Sequence, residues 1–314
     1  MVLVRMIPAV YICAVSGNDA RKDVTAPLLQ SLGIYARLQL LRSAIAHRRH
    51  PATDWHFLGD STMRNVFATF CVLLNATPSD VCQQRITPEP CFCSGRLKET
   101  SVRVFYYLRL FEFEPFAPVQ ERLDARRSIV FAGMSMWITW PTPALSDLKM
   151  WSGFAAWSGY EMTLTRMHNA LFPKARAVHV VTSHSLCGWA RECTGDNYPF
   201  RTWANTSEWL SACTQGLVLR SEVTDRTLAT ACCTRGVRCE SNIQDLNRRM
   251  KAWADPLLKR TAPIDAYSFT KDQCWANEVG DNIHFRRLLV DELALYVERV
   301  WPGSTEGFRA RTPR

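Results

Sequence analysis

A three-layer α/β/α fold with a mostly parallel central sheet is predicted by three features of this chain. Short apolar runs suited to buried strands recur at 55–58, 128–132 and 175–182. Stretches whose apolar residues repeat at three and four positions lie between and after them, as on helices. Strands that alternate with helices form a sheet covered on both faces, and that favours parallel pairing.

The elements follow in order. From 26 to 47, Leu28, Leu29, Leu32, Ile34, Leu38, Leu40, Leu41 and Ile45 predict a helix or helix pair. A turn at His50-Pro51-Ala52-Thr53 leads into Trp55-His56-Phe57-Leu58, the first central strand. After Gly59-Asp60-Ser61, the residues Met63, Val66, Phe67, Phe70, Cys71 and Leu74 fall at helical spacing. Residues 78–98, with Pro78, Pro88, Pro90 and several cysteines, read as an irregular, stapled loop. Between 101 and 113, Val102, Val104, Tyr106, Leu108 and Leu110 alternate with Arg103, Phe105, Tyr107 and Arg109, a strand pattern. The buried strand at 128–132 ends at Gly133; residues 145–171 read as helical and 175–182 as a third core strand. Residues 185–240, rich in Cys, Trp, Thr and Gly, read as an insertion. A helix at 243–258, a strand-like run at 264–269 and a last helix at 285–300 complete the pattern.

One domain over 21–302 is expected, with 1–20 as a signal peptide or N-terminal extension and 303–314 as a basic tail. A prior of about 150 residues per domain leaves room for two. The composition, 47% hydrophobic and 21% charged over 314 residues, suits a single large core. No 18-residue apolar run reads as a membrane span. Met1 to Arg5 carries one positive charge, 6–15 is apolar, and small or polar residues follow from Ser16, which resembles a secretory signal peptide. A buried first strand is the competing reading.

Twelve cysteines point to an oxidising compartment. Cys187/Cys193 and Cys233/Cys239 are plausible short pairings, and Cys71, on the apolar helix after the serine, is the expected free buried thiol. Paired C-x-x-C knuckles are absent, so no zinc or other metal is expected. The sequons Asn75-Ala76-Thr77 and Asn205-Thr206-Ser207 fit a glycoprotein, although Asn75 is near enough to the serine helix to be buried. The net charge of +9 is scattered over pairs such as Arg48-Arg49 and Arg286-Arg287 without a nucleic-acid motif. A solvated surface, or attraction to acidic glycans or an anionic membrane face, accounts for it.

Two strings carry the chemistry. Phe57-Leu58-Gly59-Asp60-Ser61-Thr62-Met63-Arg64 places a serine where strand gives way to helix, and Gly280-Asp281-Asn282-Ile283-His284 places an aspartate and a histidine before the last helix. A serine hydroxyl is too weak an acid to attack a carbonyl unaided. It needs an imidazole to take its proton and a carboxylate to hold that imidazole's tautomer. Taken alone, Gly-Asp-Ser is more often a helix N-cap. Ser61 at a helix start gains backbone N–H groups and the positive dipole end, and Gly133, ending its strand without a side chain, is a second oxyanion donor. His179 reads as a buried core histidine, and His184, just past that strand, as a structural residue more often than one that reaches the cleft. Most tryptophans read as core packing; Trp137, Trp140 and Trp275, nearest the motifs, are the ones placed to stack on sugar rings.

These residues resemble the PC-esterase branch of the SGNH/GDSL hydrolase superfamily, which includes the lumenal domain of sialate and capsule O-acetyltransferases and the plant trichome-birefringence-like polysaccharide O-acetyltransferases. The matching pieces are Gly59 to Asn65, the stretch Val130-Phe131-Ala132-Gly133-Met134-Ser135-Met136-Trp137-Ile138, and Asp281-Asn282-Ile283-His284. The resemblance implies an SGNH-hydrolase-like, flavodoxin-like topology and a serine-dependent O-acyl esterase or O-acetyltransferase acting on glycans. Ser61 is then the nucleophile, His284 the general base and acid, and Asp281 the orienting carboxylate. Gly133 and the Ser61 N–H are oxyanion donors, and Arg64 and Asn65 shape the acyl pocket. The superfamily's Gly-x-Asn-Asp block has no counterpart, and neither does the multispan membrane domain of the sialate enzymes. No bound cofactor is implied; a transferase would use an acyl donor such as acetyl-CoA. The expected partner is a carbohydrate, not a nucleic acid, and the expected place is the secretory pathway. The alternative is a catalytically inactive glycan-binding module of the same fold.

Overall fold

The structure is a computed structural model that describes residues 25–46, 53–76, 90–108, 116–133, 157–187, 240–257, 263–277 and 284–309. Five strands form one sheet in the order β2-β3-β1-β4-β5, with β1 (Asp54–Gly59), β2 (Cys91–Leu97), β3 (Thr100–Leu108), β4 (Ser128–Gly133) and β5 (Ala177–Val180). β1, β3, β4 and β5 run parallel, and β2 joins the edge antiparallel to β3. Ile264 extends the parallel set beyond β5 through a single bridge to Val181. From β1 the chain steps first to β3 on one side, then to β4 and β5 on the other, so the crevice of this doubly wound sheet opens at the carboxyl end of β1.

Period-two alternation decides which residues face which layer. Trp55, Phe57 and Phe131 face one helical layer, made by α1 (Thr25–Ile45), α2 (Ser61–Leu73) and the later helix α7 (Leu289–Val300). Leu58, Val130, Ala132, Val178 and Val180 face the other, against Leu164, Met167 and Leu171 of α4 (Trp157–Leu171) and Leu246, Met250 and Ala254 of α5 (Glu240–Ala254). The short α3 (Ala117–Gln120) adds Val119 to this second core. Three-layer architecture thus follows from strands that are buried on both faces, as β1 and β4 are along their whole length. Register is reinforced where Asp54 meets Arg103: the guanidinium donates from Nε at 2.9 Å and from Nη2 at 2.5 Å.

Four expectations are corrected. Residues 91–97 are a strand, not loop, because Cys91, Cys93 and Leu97 are buried at alternating positions and a two-residue turn at Lys98-Glu99 (Lys98 φ 57°) folds them back on β3. The run at 264–269 keeps only the Ile264 bridge; Asp265 then accepts from the Ser268 N–H at 3.1 Å and caps α6 (Ala266–Thr270), so the chain coils. Cys71 is not a free thiol: it is bonded to Cys93, tying α2 to β2. Cys187 pairs with Cys274 rather than Cys193. These disulfides suit an oxidising compartment such as the exterior or a lumen. Cys193, the Cys233/Cys239 pair and Asn205 lie outside the described residues, as do 1–20, most of the 185–240 segment and the end of the basic tail. Asn75 is exposed at the end of α2 with φ 55°. Among the described residues no helix is long and apolar enough to cross a membrane.

Candidate active site

β1 ends in a turn that only glycine permits. Gly59 has φ +152°, and a Cβ there would lie 2.3 Å from the carbonyl oxygen of Gly133 and 2.6 Å from Met63 Cγ. Gly133, the last residue of β4, is in register beside it, and a Cβ at Gly133 would lie 2.6 Å from Met63 Sδ. The two glycines let Met63, near the start of α2, settle onto the carboxyl edge of the sheet. Asp60 caps α2: its Oδ1 accepts from the Thr62 N–H at 2.9 Å and the Thr62 hydroxyl at 2.6 Å. From β3, the Tyr106 hydroxyl reaches the carbonyls of Gly59 and Asp60, each at 3.1 Å. Ser61 is therefore fixed as the first residue of α2, at the helix's positive end.

Ser61 Oγ lies 2.7 Å from His284 Nε2, although the two are 223 positions apart. The hydroxyl donates when that nitrogen is unprotonated. Both side chains are partly exposed. His284 is held from its C-terminal side by Phe285, 2% exposed and packed in a small cluster with Cys187, Ala276 and Leu288. The Cys187–Cys274 disulfide closes that cluster, and Arg287 Nη1 donates to the Trp275 carbonyl at 3.3 Å. The segment after β5 and the segment before α7 are thus cross-linked under the histidine.

The other expected residues divide. Asp281 lies outside the described residues, and so do Trp137 and Trp140. Gly133 sits at the correct sheet edge, and its close packing against Met63 by itself explains why no side chain is tolerated. Arg64 and Asn65 stand half-buried on the first turn of α2. Arg64 Nε is buried without an acceptor among the described residues, and the Asn65 carbonyl accepts from the Thr69 hydroxyl at 2.8 Å. Trp275 is 60% exposed, its ring N–H donating to Gln273 Oε1 at 2.7 Å. His179 is a buried core residue, as expected, stacked on Phe131 at 5.6 Å. Among the described residues no three His, Cys, Asp or Glu side chains are placed to hold a metal.

His184 is 5% exposed and lies behind the serine turn, with Nε2 2.9 Å from Glu292 Oε1 on α7. Burial alone would lower its pKa, but the Glu292 carboxylate, through charge and hydrogen bond, and the nearby Asp60 carboxylate raise it above the ordinary histidine value. Tyr296, one turn further along α7, is pushed well above the usual phenol range by burial and by the same two carboxylates. Glu292 and Tyr296 were not singled out from the sequence. Their signal was a carboxylate and a phenol four apart on the face of the last helix that also carries Leu293 and Val297.

The fold and this pair define a doubly wound α/β protein with a serine–histidine contact at the crevice of its sheet. Comparison with protein-family models, curated proteins and solved structures found no match. The likeness to the PC-esterase branch therefore rests on the motifs alone.

Proposed function

We propose that the protein is a serine-dependent O-acyl esterase or O-acetyltransferase of the secretory pathway that acts on glycans through an acyl-serine intermediate. One observation carries this reading: the 2.7 Å contact between Ser61 Oγ and His284 Nε2 at a helix N-terminus. Such a contact is what converts a hydroxyl into a nucleophile.

In this mechanism Ser61 Oγ attacks the ester carbonyl as its proton passes to His284 Nε2. The developing oxyanion is held by the backbone N–H of Ser61 and of Gly133, aided by the α2 dipole. The role of accepting from the other ring nitrogen of His284 and stabilising the imidazolium belongs to a carboxylate, which the motif assigns to Asp281. Collapse expels the alcohol or thiol, which takes the proton back from His284. Water or a sugar hydroxyl, deprotonated by the same imidazole, then releases the acyl group from Ser61. Arg64, on the first turn of α2, supports the acyl pocket together with Asn65. The exposed Trp275 ring offers a face on which a sugar can stack.

The test is intact-protein mass spectrometry after incubation with acetyl-CoA, p-nitrophenyl acetate and an O-acetylated oligosaccharide. An added acetyl group on Ser61, absent from Ser61→Ala, is expected. Ser61→Ala and His284→Ala should each lower acetyl-ester turnover at least about a thousandfold with unchanged melting behaviour. Full activity in either variant sinks the reading. Absence of labelling together with retained glycan binding would identify the inactive binding module instead.

A further inference from the structure

A polar cluster behind Ser61 takes no part in the chemistry above. Three of its polar atoms are buried without a hydrogen-bond partner among the described residues: Asp60 Oδ2, His184 Nδ1 and Glu292 Oε2. All three side chains border one small cavity with room for a single water, beside Met63, Gly133 and Tyr296. Their exposures are 1%, 5% and 1%, so bulk solvent does not satisfy them. Leaving a buried polar atom unmade costs roughly 1–3 kcal/mol, more when it is charged.

With the Asp60 and Glu292 carboxylates both ionised, counting donors against acceptors closes the cluster in one way. A water supplies two donors and accepts at its oxygen. It satisfies Asp60 Oδ2 and Glu292 Oε2 by donation and accepts from His184 Nδ1–H. That arrangement needs a proton on Nδ1 as well as on Nε2, which already donates to Glu292 Oε1. With a neutral imidazole donating from Nε2, Nδ1 becomes a third acceptor, and one water cannot serve three. The titratable groups facing His184 are Asp60 from the β1–α2 turn and Glu292 and Tyr296 from α7. From α5, Asn247 is neutral and engaged with the Ser183 backbone, at 2.8 Å and 3.0 Å. No lysine or arginine is among the described residues lining the cavity.

We propose that His184, Glu292 and Asp60 form one buried hydrogen-bonded unit, completed by a single water, that holds the turn carrying Ser61, so that His184 and Glu292 are positioning residues for the nucleophile. The unit acts through Asp60, whose Oδ1 caps α2 and whose Oδ2 receives the water. It joins the turn after β1 that leads into Ser61, the segment after β5, and helix α7, which closely follows His284 in the chain. Its closed form is present while His184 is an imidazolium. Deprotonation removes one donor and slackens the cap, so activity falls at alkaline pH for a reason separate from His284, which must be neutral to act. This role rests on the Ser61–His284 reading.

Two measurements test the proposal on the intact chain. The first is imidazole ¹⁵N/¹³C NMR of Ser61→Ala protein, in which turnover plays no part. His184 is expected doubly protonated at pH 7, with its titration moved down by at least one pH unit in Glu292→Gln; a neutral His184 at pH 7 overturns the proposal. The second is the pH–rate profile on p-nitrophenyl acetate. Glu292→Gln and His184→Gln should lower kcat at least tenfold with KM changed less than threefold, and the alkaline limb of the wild-type profile should move in Glu292→Gln. Equal loss at every pH with an unmoved limb means a merely structural role and overturns it. If His184→Gln does not fold, the wild-type titration and the Glu292→Gln profile still decide. Activity surviving in Ser61→Ala would instead overturn the nucleophile, and the NMR result is judged separately.

Discussion

Acidification from pH 7 to pH 5 should destabilise the fold through one residue, His56. It is fully buried on β1, stacked on Phe105 at 4.7 Å, and bonded on both sides, Nδ1 to the Tyr107 hydroxyl at 3.2 Å and Nε2 to the Ser128 hydroxyl at 3.3 Å. Both partners are neutral hydroxyls that satisfy a neutral ring, and burial lowers the pKa from 6.5 to about 3, with the Asp54 carboxylate opposing and the Arg103 and Arg122 charges assisting. The unfolded chain therefore takes up a proton below about 6.5 that the folded chain refuses until about 3. Stability rises with pH in that window and is lost as pH falls through it. Each pH unit is worth roughly 1.4 kcal/mol, which gives about 2 kcal/mol between pH 7 and pH 5. His184 works in the opposite window: its raised pKa contributes stability that is complete below 6.5 and lost as pH rises above it. Urea unfolding of wild type and His56→Gln, disulfides intact, isolates the effect. The variant should be less stable at pH 7 by roughly 2 kcal/mol from lost hydrogen bonds and stacking, and the gap should nearly close by pH 5. A gap that stays constant across the two pH values refutes a neutral buried His56.

The two described disulfides should separate stability from activity. Replacing Cys71 and Cys93 by alanine opens a loop spanning 22 positions, worth about 3 kcal/mol by loop closure, with the proposed acetyl-ester turnover per folded molecule expected near wild type. Replacing Cys187 and Cys274 should cost turnover as well, because their cluster seats Phe285 beside His284; equal turnover in the two double variants, measured on p-nitrophenyl acetate, would refute that link. The glycines of the turn should also part company. Gly133→Ala meets the flexible end of Met63 and should be partly rescued by Met63→Ala, whereas Gly59→Ala meets the Gly133 carbonyl and should lose at least about 3 kcal/mol in thermal unfolding with no rescue.

Much of the architecture was legible because it is written in local periodicity. The spacing of Met63, Val66, Phe67 and Phe70 marks α2, and the continuous apolar runs of β1 and β4 mark strands buried on both faces. The edge strand at 91–97 escaped because prolines precede it and its apolar positions are cysteines. The run at 264–269 misled because Asp265 reads as an interruption of a strand but serves as a helix cap. In the candidate site, Ser61 and His284 were legible as residue types at the ends of elements, and their contact follows from where a doubly wound sheet brings those ends.

By itself, then, the chain determined most of its strand and helix order, the α/β/α layering that this order imposes, and the serine and histidine worth testing. Tertiary structure alone decided the partners: Cys71 with Cys93, Cys187 with Cys274, and His184 with Glu292. Propensity and periodicity act within about a turn or a strand, so they are visible along the sequence. Pairing across 22, 87 or 108 positions depends on which side chains the packed layers bring within bonding distance, and that is fixed only when the core closes.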